Sequence, residues 1–350
     1  MQKQTIDVLD IKVGYACNNN CLHCVVKANQ FYARADDSNE NFSFSEIENL
    51  VKSKPHDHVH KIVITGGEPS IRNDFSEIIN MIFDYHPNIV VEIQTNGRGL
   101  KRHLHKIIHH ENLFFTVALH GPNEKMHNAV VGTATSTRNP FKETTESIEE
   151  IIRLCKNSTK ISFKIVLNSI NFKYFKEICE FLINKYNAKY ISVAYPHLDG
   201  FYFLEPSNIN KFKILCHPLI AKSDIKSGAD FSKKIGFSYA DFSDSLKKTI
   251  DYIKTKPDTV LSLEAVPYCA FAHKGKHYQI PDNVFLYMSV GQKSEVHYTN
   301  NNVLDFHTVW TNMHVYPEKI CSKCKYSYKC CGLWEECYAV FGTEGLLPYT

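Results

Sequence analysis

The sequence has almost no charge imbalance. Forty Lys and Arg against thirty-seven Asp and Glu leave a net charge of +3 over 350 residues. That is too little for a protein that must neutralise many phosphates, and no concentrated basic stripe stands out. Isolated basic pairs such as Lys233–Lys234 and Lys247–Lys248 read as solvated faces. Nucleic acid is therefore not an expected partner. Long apolar runs are missing too: Met1 to Ile6 is polar and holds no stretch suited to a signal peptide or a membrane span. A cytoplasmic protein with no membrane partner is expected. No internal repeat or low-complexity tract is evident, and 43% hydrophobic with 22% charged residues is ordinary for a folded chain. The length allows one large domain or one domain with an appendage.

Cysteine is what the sequence has in quantity, at twelve residues. Cytosolic reductants keep thiols reduced, which argues against a disulfide framework and leaves metal binding as the leading reason for so many.

The first two hundred residues alternate short apolar runs with amphipathic stretches. The runs are Val8–Val13, Ile62–Thr65, Val90–Thr95, Leu113–Leu119, Ile161–Leu167 and Tyr190–Ala194. They are rich in Val, Ile and Phe, and several are continuous, as in strands buried on both faces. Between them, Ser43 with Glu46 forms a capping-box signature before Ile47, Leu50 and Val51. Asp74 precedes Phe75, Ile78, Ile79 and Ile82, and Thr144 precedes Ile148, Ile151, Ile152 and Cys155. Phe175, Ile178, Cys179, Leu182 and Ile183 give another stripe.

Six β–α units in series imply an α/β fold with a parallel sheet, open or curled into a partial (β/α)6 barrel. Ligands of such sheets bind at the carboxyl ends of the strands. After about Pro196 the rhythm changes. The expected organisation is residues 1–200 as the barrel, 201–262 as a connecting segment with a helix near Phe242–Lys254, and 263–350 as a small cysteine-rich appendage organised by metal.

Cys17, Cys21 and Cys24 follow the first strand as Cys-x3-Cys-x2-Cys, with Asn18, Asn19 and Asn20 in the first gap. Asparagine suits a loop that visits unusual backbone angles. Three thiolates on one tight loop can ligate three irons of a cubane and leave a fourth iron open. A structural zinc site would need a fourth ligand, and His23, wedged between Leu22 and Cys24, is an awkward one.

This spacing resembles the hallmark of the radical S-adenosylmethionine (SAM) superfamily. The run Lys61–Thr65 leads into Gly66-Gly67-Glu68-Pro69, similar to that family's Gly-Gly-Glu motif. Glycines there let backbone approach a ligand closely, and Glu68 can accept hydrogen bonds from an ammonium group. Val90–Thr95 ends in Asn96-Gly97, again as in the family. The resemblance implies that Gly66, Gly67, Glu68 and Asn96 bind the cofactor. It covers roughly residues 8–196.

Two departures mark this chain. His23 stands where the family commonly has an aromatic residue near the adenine. Ala118-Leu119-His120-Gly121 stands where relatives often have Ser-x-Asp-Gly. His120 is a candidate for the missing contact, with a packed or substrate-facing histidine as the other reading. His127 follows toward the same face, whereas His103, His105, His109 and His110 read as a solvated helix face.

Near the end stand Cys321, Cys324 and Cys330, with Cys331 and Cys337 close behind. Cysteines two residues apart can chelate zinc or an iron–sulfur cluster. The block resembles the SPASM and smaller twitch appendages of radical enzymes, in which a distant upstream cysteine often supplies a ligand. Cys269 matches that role, so the resemblance implies one auxiliary [4Fe–4S] cluster on Cys269, Cys321, Cys324 and Cys330. Cys337 is an alternative ligand, and a zinc ribbon is the competing reading. Cys155 and Cys179 read as core, Cys331 as a spare thiol or alternative ligand, and Cys216 as unassigned.

The resemblance implies reductive cleavage of SAM to a 5′-deoxyadenosyl radical, fed by an electron donor such as a flavodoxin or ferredoxin. The radical then removes hydrogen from a substrate. Oxidative modification or cross-linking of a ribosomally made precursor peptide is the first expectation. Against it, a barrel beginning by residue 8 leaves no room before it for a peptide-recognition domain. Modification of a sugar, nucleotide or natural-product intermediate is the second expectation. A non-catalytic metal-binding protein on the same fold is the third.

Overall fold

A computed structural model describes residues 6–27, 31, 41–53, 59–132, 138–156, 158–287, 294–297, 303–305 and 313–350. Its centre is a sheet built from strands β1 (Ile6–Lys12), β2 (Val59–Thr65), β3 (Val90–Thr95), β4 (Leu113–Ala118), β5 (Ile161–Val166) and β6 (Tyr190–Ala194). Each of the six apolar runs read from the sequence forms one of these strands. They pair in parallel and in chain order, β1 to β6. Unbroken sequential order is that of a (β/α) barrel, whereas a doubly wound sheet reverses direction at a switch point.

The sheet also draws strands from beyond residue 200. On one side β7 (Val260–Glu264) joins β6, and β10 (Val284–Tyr287) joins β7, both in parallel. On the other, β11 (Ser294–His297) pairs in parallel with β1, and β12 (Val303–Asp305) closes that side antiparallel to β11. A two-residue hairpin, β8 (Ala272–His273) with β9 (Lys276–His277), and a second small pair, β13 (His314–Val315) with β14 (Leu333–Trp334), lie outside it. The appendage is thus short-stranded, as residues without a long apolar run must be.

Helices cross over between strands. Phe44–Lys52 begins with the Ser43/Glu46 capping box read from the sequence. Phe75–Tyr85 follows Asp74, whose carboxylate pairs with Arg72 at 2.7 Å instead of capping the helix. The helix carrying Ile148 and Ile151 starts earlier than Thr144 suggested: Asn139 caps it, and it runs Pro140–Cys155. Beyond β6, Tyr239–Lys254 packs Phe242 against Phe175 of helix Phe175–Tyr186.

Most strands alternate in burial. In β5, Ile161, Phe163 and Ile165 are buried under the helices, while Ser162, Lys164 and Val166 are half-buried on the other face. Strands buried on both faces were expected; among the described residues only β2 keeps a strand run of four buried residues. One face therefore makes the core, with Phe115 and Phe163 at most 1% exposed. The opposite face is left for polar groups. No described helix is long and apolar enough to cross a membrane.

Candidate active site

The loop after β1 carries Cys17, Cys21 and Cys24, all partly buried and free. Its placement depends on the two glycines that follow β2. The Gly67 amide donates to Gly14 O at 2.7 Å and the Glu68 amide to Ala16 O at 2.9 Å. A Cβ on Gly67 would stand 2.2 Å from Ala16 O, and one on Gly66, whose φ is +135°, 2.3 Å from Gly14 O. What approaches these glycines most closely is thus the cysteine loop itself.

Glu68 is 2% exposed. Its Oε1 accepts from the Ser70 amide at 3.0 Å, the Ser70 hydroxyl at 2.5 Å and the Thr95 hydroxyl at 2.7 Å. Among the described residues Oε2 accepts only the Asn96 amide, at 2.6 Å, which leaves it room for a further donor. Burial raises the carboxyl pKa and these bonds oppose the rise.

Asn96 links that carboxylate to the cysteine loop. Its Nδ2 donates to Asn18 Oδ1 at 2.8 Å and lies 3.7 Å from Cys17 Sγ. Thr144 fixes Asn96 from behind, its hydroxyl donating to the Asn96 carbonyl at 2.7 Å. Gly66, Gly67, Glu68 and Asn96 therefore meet Cys17, Cys21 and Cys24 at one place, the carboxyl ends of β1 to β3.

The thiols press on one another. Burial first, then the nearby Cys24 and Glu68, push Cys17 up to about 12. Burial and the two companion thiols raise Cys21 well above its ordinary value, and burial raises Cys24. Three crowded thiols are costly as free anions but become thiolate ligands once cations share their charge. The donor set fits an iron–sulfur cluster.

His23 is buried, with Nδ1 3.1 Å from Asn168 Nδ2. His120 meets its ring edge-on at a centroid distance of 4.6 Å. His120 Nδ1 accepts the Val166 amide at 3.3 Å, and burial followed by Lys164 lowers its pKa to about 4. One ligand atom each from Cys21, His23 and His120 lies within 4.8 Å of the others. Both Nδ1 atoms accept from amides, so Nε2 is the atom each imidazole has left. His127 backs the pair: its Nδ1 accepts the His120 amide at 3.2 Å.

Sequence reading missed Arg98. Its side chain is 3% exposed, and its Nε donates to Glu143 Oε2 at 2.6 Å. Its Nη1 donates to Asn19 Oδ1 at 2.8 Å and to the Asn18 carbonyl. Nothing local distinguishes this arginine, because its partners come from two distant segments. His103 corrects another expectation. It is buried rather than solvated, 2.7 Å from the Ser76 hydroxyl and edge-on to Phe75. His105 and His109 are exposed and His110 half-buried.

The polar face of the sheet runs inward from these groups. Lys61 pairs with Glu92, whose Oε1 accepts the Thr116 hydroxyl at 2.7 Å; Thr116 in turn lies 2.7 Å from Ser162 Oγ. Lys164 bridges to Glu264 at 2.5 Å and to Ser192 at 3.3 Å. The Lys164–Glu264 pair lies toward the carboxyl ends of β5 and β7 and is one-quarter to three-tenths exposed.

Four cysteines gather at the second set. The thiol of Cys269, buried after β7, feels Cys330, Cys321 and Cys324 in turn, and burial with these neighbours raises its pKa. Cys330 is the exception, lowered to about 6, chiefly by a hydrogen bond from the free Cys331 thiol. Cys331 is buried beside it and donates to Gly332 O at 3.5 Å. Cys337 turns elsewhere, its thiol donating to Pro196 O at 3.5 Å next to the buried Glu336. Cys155 is half-buried; Cys179 and Cys216 are buried.

Residues 11–182 match the Radical SAM superfamily. The chain belongs to the radical SAM superfamily. Its cofactors are accordingly SAM and [4Fe–4S] clusters. Among solved structures, SuiB of Streptococcus suis bound to S-adenosylmethionine superposes with a TM-score of 0.60 at 14% identity. That match covers 99% of this chain and 76% of SuiB. Native anSMEcpe with bound AdoMet and Cp18Cys peptide gives 0.59 at 15% identity, covering 98% and 92%. These likenesses bear on the fold.

In sequence, the GTP 3′,8-cyclase of Campylobacter jejuni strain RM1221 is 42% identical over 96 residues, 27% of this chain and 29% of the relative. That of Campylobacter lari is 30% identical over 214 residues, 59% of this chain and 63% of the relative. The radical SAM chain thus spans less than two thirds of these curated relatives.

Proposed function

We propose that this protein reductively cleaves SAM and uses the resulting radical to remove hydrogen from a ribosomally made precursor peptide, oxidising or cross-linking it. When bound, the cluster and SAM supply a 5′-deoxyadenosyl radical. In this reading Cys17, Cys21 and Cys24 hold the cluster and leave one iron open. Glu68 Oε2 receives the ammonium of SAM, while Asn96 orients the loop. Gly66 and Gly67 keep that loop against β2, and His23 and His120 flank the adenosyl side in place of the family's aromatic and serine. Lys164 and Glu264 face the substrate. Cys269, Cys321, Cys324 and Cys330 would hold a second cluster, which would supply an acceptor for the electron that an oxidative outcome releases. An electron carrier such as a flavodoxin or ferredoxin starts each turnover.

The observation that supports this reading best is that two thiol sets follow strands of one sheet: three cysteines after β1, and four gathered about Cys269 after β7. The fold is also shared over most of its length with SuiB, a protein also solved bound to the precursor peptide SuiA. The small-molecule reading draws on the relatives named GTP 3′,8-cyclase.

The deciding experiment is anaerobic reconstitution with iron, sulfide and SAM. Release of 5′-deoxyadenosine, with loss of two hydrogens from a precursor peptide encoded beside the gene, is the expected result. Conversion of GTP without any peptide change would favour the small-molecule reading. Absence of 5′-deoxyadenosine would leave a metal-binding protein.

A further inference from the structure

The two histidines by which this chain departs from its family hold their protons in a defined way. Both rings are buried, and His120 Nδ1 faces the Val166 amide at 3.3 Å. A backbone N–H can only donate, so that nitrogen carries no proton. His23 Nδ1 lies 3.1 Å from Asn168 Nδ2. Asn168 has its orientation fixed, because its Oδ1 accepts the Ile170 amide at 3.0 Å. His23 Nδ1 is therefore an acceptor as well. An imidazole with a bare Nδ1 is neutral and carries its proton on Nε2. The backbone of His120 is held too: its amide donates to His127 Nδ1 at 3.2 Å, and its carbonyl accepts Asn171 Nδ2 at 3.1 Å.

These protons decide what the pair can do beside Cys21. One ring nitrogen of each histidine lies within 4.8 Å of the other and of Cys21 Sγ. A cysteine with two histidines has the composition of a zinc set. A histidine that ligates through Nε2, however, keeps its proton on Nδ1 and donates it to a carbonyl, a carboxylate or water. Here both Nδ1 atoms meet donors, so both Nε2 atoms present an N–H and neither presents a lone pair. Among the described residues neither Nε2 has a hydrogen-bond partner. Two unused N–H donors beside a cysteine suit a sulfur that carries negative charge. The Cys21 thiol becomes one when it loses its proton to ligate iron.

We propose that His23 and His120 donate hydrogen bonds to the Cys21 side of the N-terminal cluster and raise its reduction potential. The inference rests on the function proposed above only in taking Cys17, Cys21 and Cys24 as the cluster's ligands. Donors at a cluster's sulfurs favour the reduced form, which carries one more negative charge than the oxidised form. On reduction the cluster gains one electron and no proton moves, because both rings are already neutral N–H donors. The two histidines are positioning residues in this role: they act on the cluster's sulfur and touch no substrate.

The test is a redox titration of the full-length, cluster-loaded protein without SAM, followed by electron paramagnetic resonance. The signal that changes when SAM is then added marks the N-terminal cluster. At the potential that half-reduces the wild-type cluster, His23→Phe and His120→Leu should each lower the ratio of reduced to oxidised cluster about three- to tenfold. His23→Gln and His120→Gln, whose amide N–H reaches where the Nε2 proton stood, should stay close to wild type. The second cluster should titrate as in wild type throughout. An unchanged midpoint in His23→Phe and His120→Leu at normal iron content would overturn the proposal. So would an equal shift in His23→Gln and His120→Gln, which would assign the effect to packing. If the variants fail to load iron, nitrogen NMR of the wild-type, cluster-free chain with isotope-labelled histidine decides. Both rings should show a bare Nδ1 and a protonated Nε2; the opposite tautomer would overturn the proposal and make the trio a metal site. Because the potential is read apart from 5′-deoxyadenosine release, a protein whose midpoint moves as expected but never cleaves SAM keeps these donors and loses only the proposed function.

Discussion

Arg98 Nη1 lies 2.8 Å from Asn19 Oδ1, so a side chain from the end of β3 grips the first cysteine loop in the gap between its first two thiols. The same guanidinium is anchored at 2.6 Å by Glu143. Arg98→Met keeps the volume but strips these donors, leaving the loop's Asn18 carbonyl short of a partner. We expect a loss of about 1.5–3 kcal/mol of stability. Iron should also leave to a chelator several times faster. Wild-type iron retention in Arg98→Met would show that the loop is held without this guanidinium.

Gly67 has no room for a side chain. Gly67→Ala would put Cβ 2.2 Å from Ala16 O and 2.5 Å from Tyr15 O, both backbone atoms that cannot swing away. The cysteine loop must shift or β2 must end differently, at a cost of about 1–3 kcal/mol or more. The N-terminal cluster should load poorly while the second loads normally. Gly275 has nothing within 4 Å of its Cβ position but has a φ of +74°, so Gly275→Ala measures backbone strain alone. Equal iron contents in the two variants would contradict the steric account.

The six strands of the barrel and the helix cap at Ser43 were legible because their signals are local. Runs of Val, Ile and Phe mark strands, and a Ser with Glu three residues on marks a helix start. The cysteine spacings were legible for the same reason. What escaped depends on distance along the chain. Strand β7 is five residues, Val-Leu-Ser-Leu-Glu, with polar sequence before it and a Pro-containing stretch after it, and it becomes a strand by pairing with β6 seventy residues upstream. Arg98 acquires meaning only from Asn19 and Glu143. His103 looks like one of four histidines on a polar helix until Ser76 and Phe75 close over it.

His127 should make stability depend on pH. It is 1% exposed, and its Nδ1 accepts the His120 amide, which places the neutral ring's proton on Nε2. Burial, then the nearby His120 and Arg98, hold its pKa well below the usual 6.5. Above that value the ring is neutral in both folded and unfolded chains. As pH falls through it, the unfolded chain takes up a proton that the folded chain refuses, so stability is lost. The melting temperature of the cluster-free protein should fall between about pH 7 and about pH 5. His127→Asn, which keeps an acceptor for the His120 amide, should make that fall shallower. An identical slope in the variant would remove His127 from the account.

Cys269 and Cys337 compete for one role, and their surroundings separate them. Cys269 lies in the field of Cys330, Cys321 and Cys324, and its backbone carbonyl accepts the Leu347 amide at 3.0 Å, which fixes the turn that presents the thiol. Cys337 is buried on helix Glu335–Phe341 with its thiol on the Pro196 carbonyl, in a contact that ties this helix to the end of β6. Cys269→Ser should therefore lower the iron of the anaerobic protein from about eight to about four atoms, the content of one cluster. Cys337→Ser should keep about eight and lose only a little thermal stability. The order of effects is the informative part, since iron is counted directly and neither variant touches Cys17, Cys21 or Cys24. If Cys337→Ser drops to four irons while Cys269→Ser keeps eight, the second cluster is held by Cys337, and the helix must turn its thiol away from Pro196 when the cluster forms.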